Sequence, residues 1–207
     1  GTQPIIGTQI NLKAQNIIGK VTLYATSEQG FKNLTKLSSS SYLKNNETEE
    51  PSCDLNDLIA QNKDLILLTG NYYNFFGKLF YANKIKDFES IVSTLKKHFN
   101  DRIYFEIQRH GENEEKIFEN HLLNCSKKLE IPLIASQEVF YLHENMHEAH
   151  DALTCIGEKK FVDDKNRFRY SNQHFLKKDL DLKKLYSDIP EALENNYNFH
   201  LRFNYKL

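Results

Sequence analysis

Cysteine is scarce and scattered. Cys53, Cys125 and Cys155 form no CxxC pair and are odd in number, which excludes a zinc knuckle and a disulfide framework and fits a reducing cytoplasm. No apolar run reaches membrane-span length, and Gly1-Thr2-Gln3-Pro4 is not a signal peptide. An excess of charge is missing too: the formal net charge is −1, so no global pull toward nucleic acid or an anionic membrane is expected. Of 27 basic side chains only five are arginine, the better bidentate reader of phosphates and bases. Also absent are a Gly-rich phosphate loop, a GxSxG elbow, a Cys–His signature and any HxH.

What remains is a chain of 207 residues, 40% hydrophobic and 12% aromatic, enough for one packed domain. Residues 5–12 and 17–25 read as strands joined by a short polar connection. Phe31, Leu34 and Leu37 mark a helix, and Ser38 to Pro51 reads partly as its end and partly as an exposed loop. Asp54 is a natural N-cap for a short helix through Ile59. Asp64 to Gly70 is apolar on consecutive positions, as a fully buried strand requires. Helical spacing follows at Phe88, Ile91, Val92, Leu95 and Phe99, then a strand at Arg102 to His110 and a second stripe at Phe118, Leu122, Cys125 and Leu129. Leu133 to Tyr141 reads as a strand with a polar tip, and Met146, Ala149, Leu153 and Ile156 as the helix after it. Asp163 to Asn172 is a charged loop. Two short helices close the chain, near Leu180 to Tyr186 and from Pro190, where proline suits a first turn. Repeated βα units predict an α/β fold with a mostly parallel sheet, open or curled into a barrel.

Three groups of residues invite chemistry. Period two puts Glu106, Gln108 and His110 on one strand face, where a carboxylate, an amide and an imidazole line a polar cleft or satisfy one another. His143, His147 and His150 have the spacing of a one-face metal site, against which stands the frequency of histidine on exposed helices. Asp179 and Asp181 read as a carboxylate pair for two-metal chemistry or, more simply, as the acidic first turn of a helix.

Pro4-Ile5-Ile6-Gly7-Thr8-Gln9, Gly30-Phe31-Lys32-Asn33-Leu34, Leu65-Ile66-Leu67-Leu68-Thr69-Gly70, Phe105-Glu106-Ile107-Gln108-Arg109-His110-Gly111, Ile131-Pro132-Leu133-Ile134-Ala135 and Glu148-Ala149-His150-Asp151-Ala152-Leu153 occur in that order, ahead of Tyr186-Ser187-Asp188-Ile189-Pro190-Glu191-Ala192-Leu193. The ordered set, spanning nearly the whole chain, resembles the PHP (polymerase and histidinol phosphatase) domain of bacterial DNA polymerase III alpha subunits, proteobacterial type. The resemblance implies a distorted seven-stranded (β/α)7 barrel with a metal cleft at one end, incomplete here because the first strands, with their histidine motifs, are missing. It implies one partial PHP domain over residues 1–207, whose C-terminal helices, from about 174, lead toward a polymerase body. In metal-binding members, His and Asp/Glu from strand ends hold up to three ions that activate water.

Several ligand stations depart from that pattern. Gly-x-Glu reads Gly7-Thr8-Gln9, a neutral amide for a carboxylate, and Lys20 stands where histidine is expected. Asn-Asp-x-His becomes Gln137-Glu138-Val139-Phe140, keeping a carboxylate at Glu138 and replacing imidazole by an apolar ring at Phe140. The resemblance therefore implies a structural and subunit-docking module with no catalytic residue and no cofactor of its own. Its expected partners are the remainder of the alpha subunit and the proofreading exonuclease subunit, with DNA reached through the parent holoenzyme, no membrane, a cytoplasmic location, and self-association through exposed strand edges. The alternative is a metal-dependent phosphoesterase or pyrophosphatase using Mg, Zn or Mn, with Glu106, Gln108, His110 and Glu138 as its remaining cleft.

Overall fold

Gln15 and Asn16 both adopt positive φ, 52° and 60°, and turn the first strand back on itself. Two such residues make the primed turn whose twist matches a β-hairpin. The structure, a computed structural model, describes residues 3–44 and 49–204. This turn joins β1 (Ile6–Ala14) to β2 (Ile17–Ala25) over nine paired residues, antiparallel throughout. The sheet order is β3-β1-β2-β4-β5-β6, with β3 at Cys53–Asp54, β4 at Leu65–Leu68, β5 at Ile103–Ile107 and β6 at Leu133–Ala135. The β1·β3, β4·β5 and β5·β6 pairs are parallel, and β2·β4 is antiparallel. The sheet is thus mixed rather than mostly parallel, because the hairpin reverses the chain before the βα repeats begin. It is consistent with a PHP-like α/β barrel, and among the described residues hydrogen bonds do not close it.

Among the described residues there are eight α-helices: α1 (Glu28–Leu43), α2 (Leu55–Ala60), α3 (Phe75–Tyr81), α4 (Ile85–Phe99), α5 (Asn113–Leu129), α6 (His147–Glu158), α7 (Asp179–Leu185) and α8 (Pro190–Phe199). The Ser27 hydroxyl accepts the Gly30 N–H at 3.1 Å and starts α1 earlier than its apolar spacing suggests. Of the segment read as helix end and loop, residues 45–48 lie outside the described residues. Asp54 caps α2 through the Asp57 N–H at 2.8 Å, as expected. Helix α3 is not legible in the sequence. Its aromatics are middling helix formers and it contains Gly77, yet only glycine fits there, since a Cβ would lie 1.9 Å from the Tyr72 carbonyl oxygen.

Strand alternation divides the core. Ile10, Leu12, Val21, Leu23, Leu65, Leu67, Ile103, Phe105 and Leu133 face one way, into the main core under the helices. Tyr186, Ile189 and Ala192, at and between the ends of α7 and α8, join this core. Ile66, Leu68, Tyr104 and Ile134 face the other way and pack with Phe203, Tyr24 and Phe199. Each sheet edge is treated differently. On β6 the Leu133 and Ala135 carbonyls accept the side-chain amides of Asn195 and Asn196, at 2.7 and 2.6 Å. On β1 only Leu12 and Lys13 pair with β3; among the described residues, no strand lies beside the rest of that edge.

Two expected strands are shorter in the structure. Arg102 to His110 is β5 only at Ile103–Ile107, and Leu133 to Tyr141 is β6 only at Leu133–Ala135. Beyond Ala135 the chain leaves the sheet and becomes a strap. The Phe140 N–H bonds His174 O at 2.9 Å, the Leu176 N–H bonds Tyr141 O at 3.0 Å, and Tyr141 bridges Phe175. Helix α6 forms where expected, but Met146, Ala149, Leu153 and Ile156 face outward and its buried residues are Asp151 and Cys155.

Candidate functional site

The polar end of the second sheet face is built from the ends of β4, β5 and β6. Glu106, the fourth residue of β5, is 7% exposed and sits on the face away from the main core. Its carboxylate accepts the Gly70 N–H at 3.1 Å, the Gln108 amide at 2.9 Å and the Ser136 hydroxyl. Gly70 has φ 78°, which lets the backbone turn its N–H onto that carboxylate. Burial pushes the Glu106 carboxyl above its ordinary range, and the Glu138 charge adds to this against the pull of the three donors. Gln108 also donates to Ser136 Oγ at 3.2 Å and accepts from Asn71 Nδ2 at 2.9 Å. The network ties three strand ends together and uses both carboxylate oxygens.

His110 is not part of that face. The strand ends at Ile107, the period-two register ends with it, and His110 turns to a separate buried cluster. Its Nε2 accepts the Glu138 N–H at 3.3 Å, so the ring proton lies on Nδ1, 2.7 Å from Glu115 Oε1. Glu115 also accepts the His110 and Glu112 N–H groups, at 2.6 and 3.3 Å, and so closes the capping box of α5. His174 lies flat on His110, ring centroids 3.9 Å apart. Its Nδ1–H donates to Glu138 O at 3.1 Å, leaving Nε2 buried without a hydrogen-bond partner.

Phe140 extends this stack. Its ring lies 5.0 Å from His174 on one side and 5.0 Å from His150 on the other, at interplanar angles of 24° and 8°. Glu138 accepts the Tyr73 hydroxyl, whose phenol burial, then Glu138, pushes far above its ordinary value. Gln9 and Lys20 are exposed on β1 and β2, on the same sheet face as Glu106. Gln9 Nε2 reaches Thr22 Oγ1 at 3.5 Å. Register places Lys20 opposite Asn11 and at the level of Gly70 and Glu106.

The buried polar atoms of this site have partners within the protein, apart from His174 Nε2. Both oxygens of Glu106 and both nitrogens of His110 are engaged within the protein, Phe140 has no lone pair, and the Lys20 ammonium repels a cation. His143, His147 and His150 do not converge. His143 is exposed ahead of a 3-10 turn, His147 Nε2 bonds Tyr170 O at 2.9 Å, and His150 stacks on Phe140. Asp179 accepts from Lys183 and Tyr197 in the first turn of α7, the simpler of its two readings. Among the described residues no group of three or more His, Cys, Asp or Glu is placed to hold a metal ion.

A family model described as PHP domain matches residues 1–110. The chain belongs to the PHP family. Over its length this chain is similar to proteins named DNA polymerase III subunit alpha. The one from Rickettsia bellii (strain RML369-C) is 34% identical over 203 residues, covering 98% of this chain and 17% of the relative. The one from Caulobacter vibrioides (strain NA1000 / CB15N) is 33% identical over 212 residues, covering 98% and 18%. That of Vibrio cholerae serotype O1 (strain ATCC 39315 / El Tor Inaba N16961) is 29% identical over 208 residues, covering 99% and 18%. The chain thus spans under a fifth of the length of these relatives. Among the described residues no helix is long and apolar enough to cross a membrane.

Several residues of the site escape sequence reasoning. Ser136, Asn71 and Tyr73 join it from loops, and nothing local marks them. His174 lies just past a charged loop and reaches the cluster only through the strap. Glu115 had a signal, because Glu112-x-x-Glu115 ahead of an apolar stripe is a capping-box spacing.

Proposed function

We propose that this chain is the PHP module of a DNA polymerase III alpha subunit, and that it serves replication as a structural and subunit-docking domain. Similarity to alpha subunits across 94–99% of the chain carries the reading. The site chemistry supports it: Gln9, Lys20 and Phe140 replace metal-binding side chains, while Glu106 and His110 spend their polar atoms on holding strand ends and capping α5. On this reading residues 1–207 are one partial PHP domain with a degenerate metal station. The helices from about 174 lead toward the polymerase body, and nucleotidyl transfer belongs elsewhere in the polypeptide. The partners are that body and the proofreading exonuclease subunit, in the cytoplasm. DNA is bound by the holoenzyme rather than by this segment.

The test is a pull-down with the full-length alpha polypeptide. It is expected to retain the exonuclease subunit, and deletion of this segment is expected to abolish retention. Equal binding after deletion rules out docking here. The competing reading, a PHP phosphoesterase or pyrophosphatase using Glu106, Gln108, His110 and Glu138, predicts stoichiometric Mg, Zn or Mn and turnover of phosphodiesters.

A further inference from the structure

Helix α6 is inside out for a domain standing alone. Leu153 and Ile156 are 64% and 74% exposed, with Met146, two turns before Leu153, 41% exposed. The opposite side buries Asp151, gripped by the Arg167 guanidinium at 2.5 and 2.6 Å, with Arg169 at 3.4 Å. The same arginine fixes the following loop, since Arg167 Nε donates to Val162 O at 3.1 Å and the Asp164 carboxylate accepts the Phe161 N–H at 2.8 Å. That loop holds Phe161 and Val162 80% and 54% exposed, just past the end of the helix. An amphipathic helix ordinarily turns its apolar stripe to the core. Here an arginine–aspartate fork anchors the polar side, so the apolar side faces out by construction of the fold. Exposed apolar patches of this kind mark interaction surfaces.

We propose that the α6 stripe together with Phe161 and Val162 is the face on which an apolar surface from the remainder of the same polypeptide docks. This deepens, and rests on, the reading of the chain as a module of an alpha subunit. The relatives are more than five times longer than the matched segment, so most of such a polypeptide lies outside these residues. A covalently attached partner acts at an effective concentration on the order of millimolar. Permanent interfaces are also the more hydrophobic ones. Local charge does not favour nucleic acid, since Glu158 pairs with Lys160 at 3.2 Å beside the patch.

The experiment is maleimide labelling of the full-length parent polypeptide carrying Leu153→Cys, Ile156→Cys or, as control, Lys36→Cys on the exposed side of α1. Within this segment the native cysteines Cys53, Cys125 and Cys155 are buried, and cysteines elsewhere in the parent polypeptide are replaced by serine beforehand. Docking predicts labelling at positions 153 and 156 about tenfold slower than at 36, independent of protein concentration. Labelling as fast as the control overturns the proposal. So does protection that vanishes on dilution, which assigns the face to a second copy. Primer extension by the same preparations separates the two levels: an active polymerase with fast-labelling cysteines overturns the docking face alone, whereas an inactive parent polypeptide overturns the reading beneath it.

Discussion

His110 and His174 lie face to face, ring centroids 3.9 Å apart and planes within 3° of parallel, both joined to the Glu138 backbone. Burial, and then the neighbouring His110, hold His174 down to about 4; Glu115 opposes this and Lys177 reinforces it. An unfolded histidine titrates near 6.5. The folded state therefore binds fewer protons, and stability falls as pH drops from about 6.5 toward 4. Denaturant unfolding at pH 7 and pH 4.5 is expected to show the wild-type chain losing on the order of 2 kcal/mol more than His174→Phe, which keeps a ring in the stack. Parallel losses in the two proteins show that His174 is not held neutral.

Phe140 occupies the middle of the ring stack, between His174 and His150. Truncating it removes three ring contacts, to His174, His150 and Tyr170, from a partly exposed site, so Phe140→Ala is expected to cost about 1–2 kcal/mol in thermal or denaturant unfolding. The metal-station reading makes a sharper claim. Elemental analysis of the wild-type chain after incubation with Mg, Zn or Mn is expected to find substoichiometric metal. The triple variant Gln9→Glu, Lys20→His, Phe140→His is expected to gain at least about tenfold in divalent affinity. Stoichiometric metal in the wild-type chain would sink the degenerate-site idea.

Sequence periodicity located most of the helices and strands because burial imposes it: α4 and α5 lie where their apolar spacing puts them, and β4 is buried at all four positions. It failed where backbone geometry or a distant partner decides. The Gln15-Asn16 turn sets an antiparallel pair that βα counting does not anticipate. Ser136 leaves β6 because its hydroxyl is drawn to Glu106 and its carbonyl to the Tyr186 hydroxyl, 50 residues on in the chain. The apolar stripe of α6 was visible, but its direction was not, because Arg167 sets it from 16 residues away. At the site, Glu106 and Gln108 were legible as neighbours on one face. His110 was not, since its place depends on where β5 stops.

Arg109 is a hub rather than a cleft residue. It forks onto Glu119 at 2.5 and 2.9 Å and onto Asp188 at 2.6 and 2.8 Å, donates to Leu185 O, and lies 5.0 Å from the Tyr186 ring centre. One side chain thus clamps α5 to the end of α7. Lysine carries the charge but not the planar fork. Arg109→Lys is expected to lower stability by about 2 kcal/mol in denaturant unfolding. A loss under a few tenths would mean that the charge, not the fork, holds this corner.

Asp151 and Arg167 make the tie that decides which way α6 faces. The Arg167 hydrogen bonds hold the Asp151 carboxyl below its usual range, with both side chains about 95% buried. A depressed carboxyl stabilises the fold above its unfolded value, near 3.9, and loses that contribution only as pH falls through the lower folded value. The tie is therefore intact from pH 5 upward. Asp151→Asn keeps the shape, removes the charge and leaves Arg167 without its anion. Trypsin cleavage at Lys159, Lys160 and Lys165 at pH 8 is expected to quicken about tenfold, with cleavage at Lys36 on α1 unchanged. If all sites quicken together, the variant has lost global stability rather than this tie. If none does, the loop is held by something other than the Asp151–Arg167 fork.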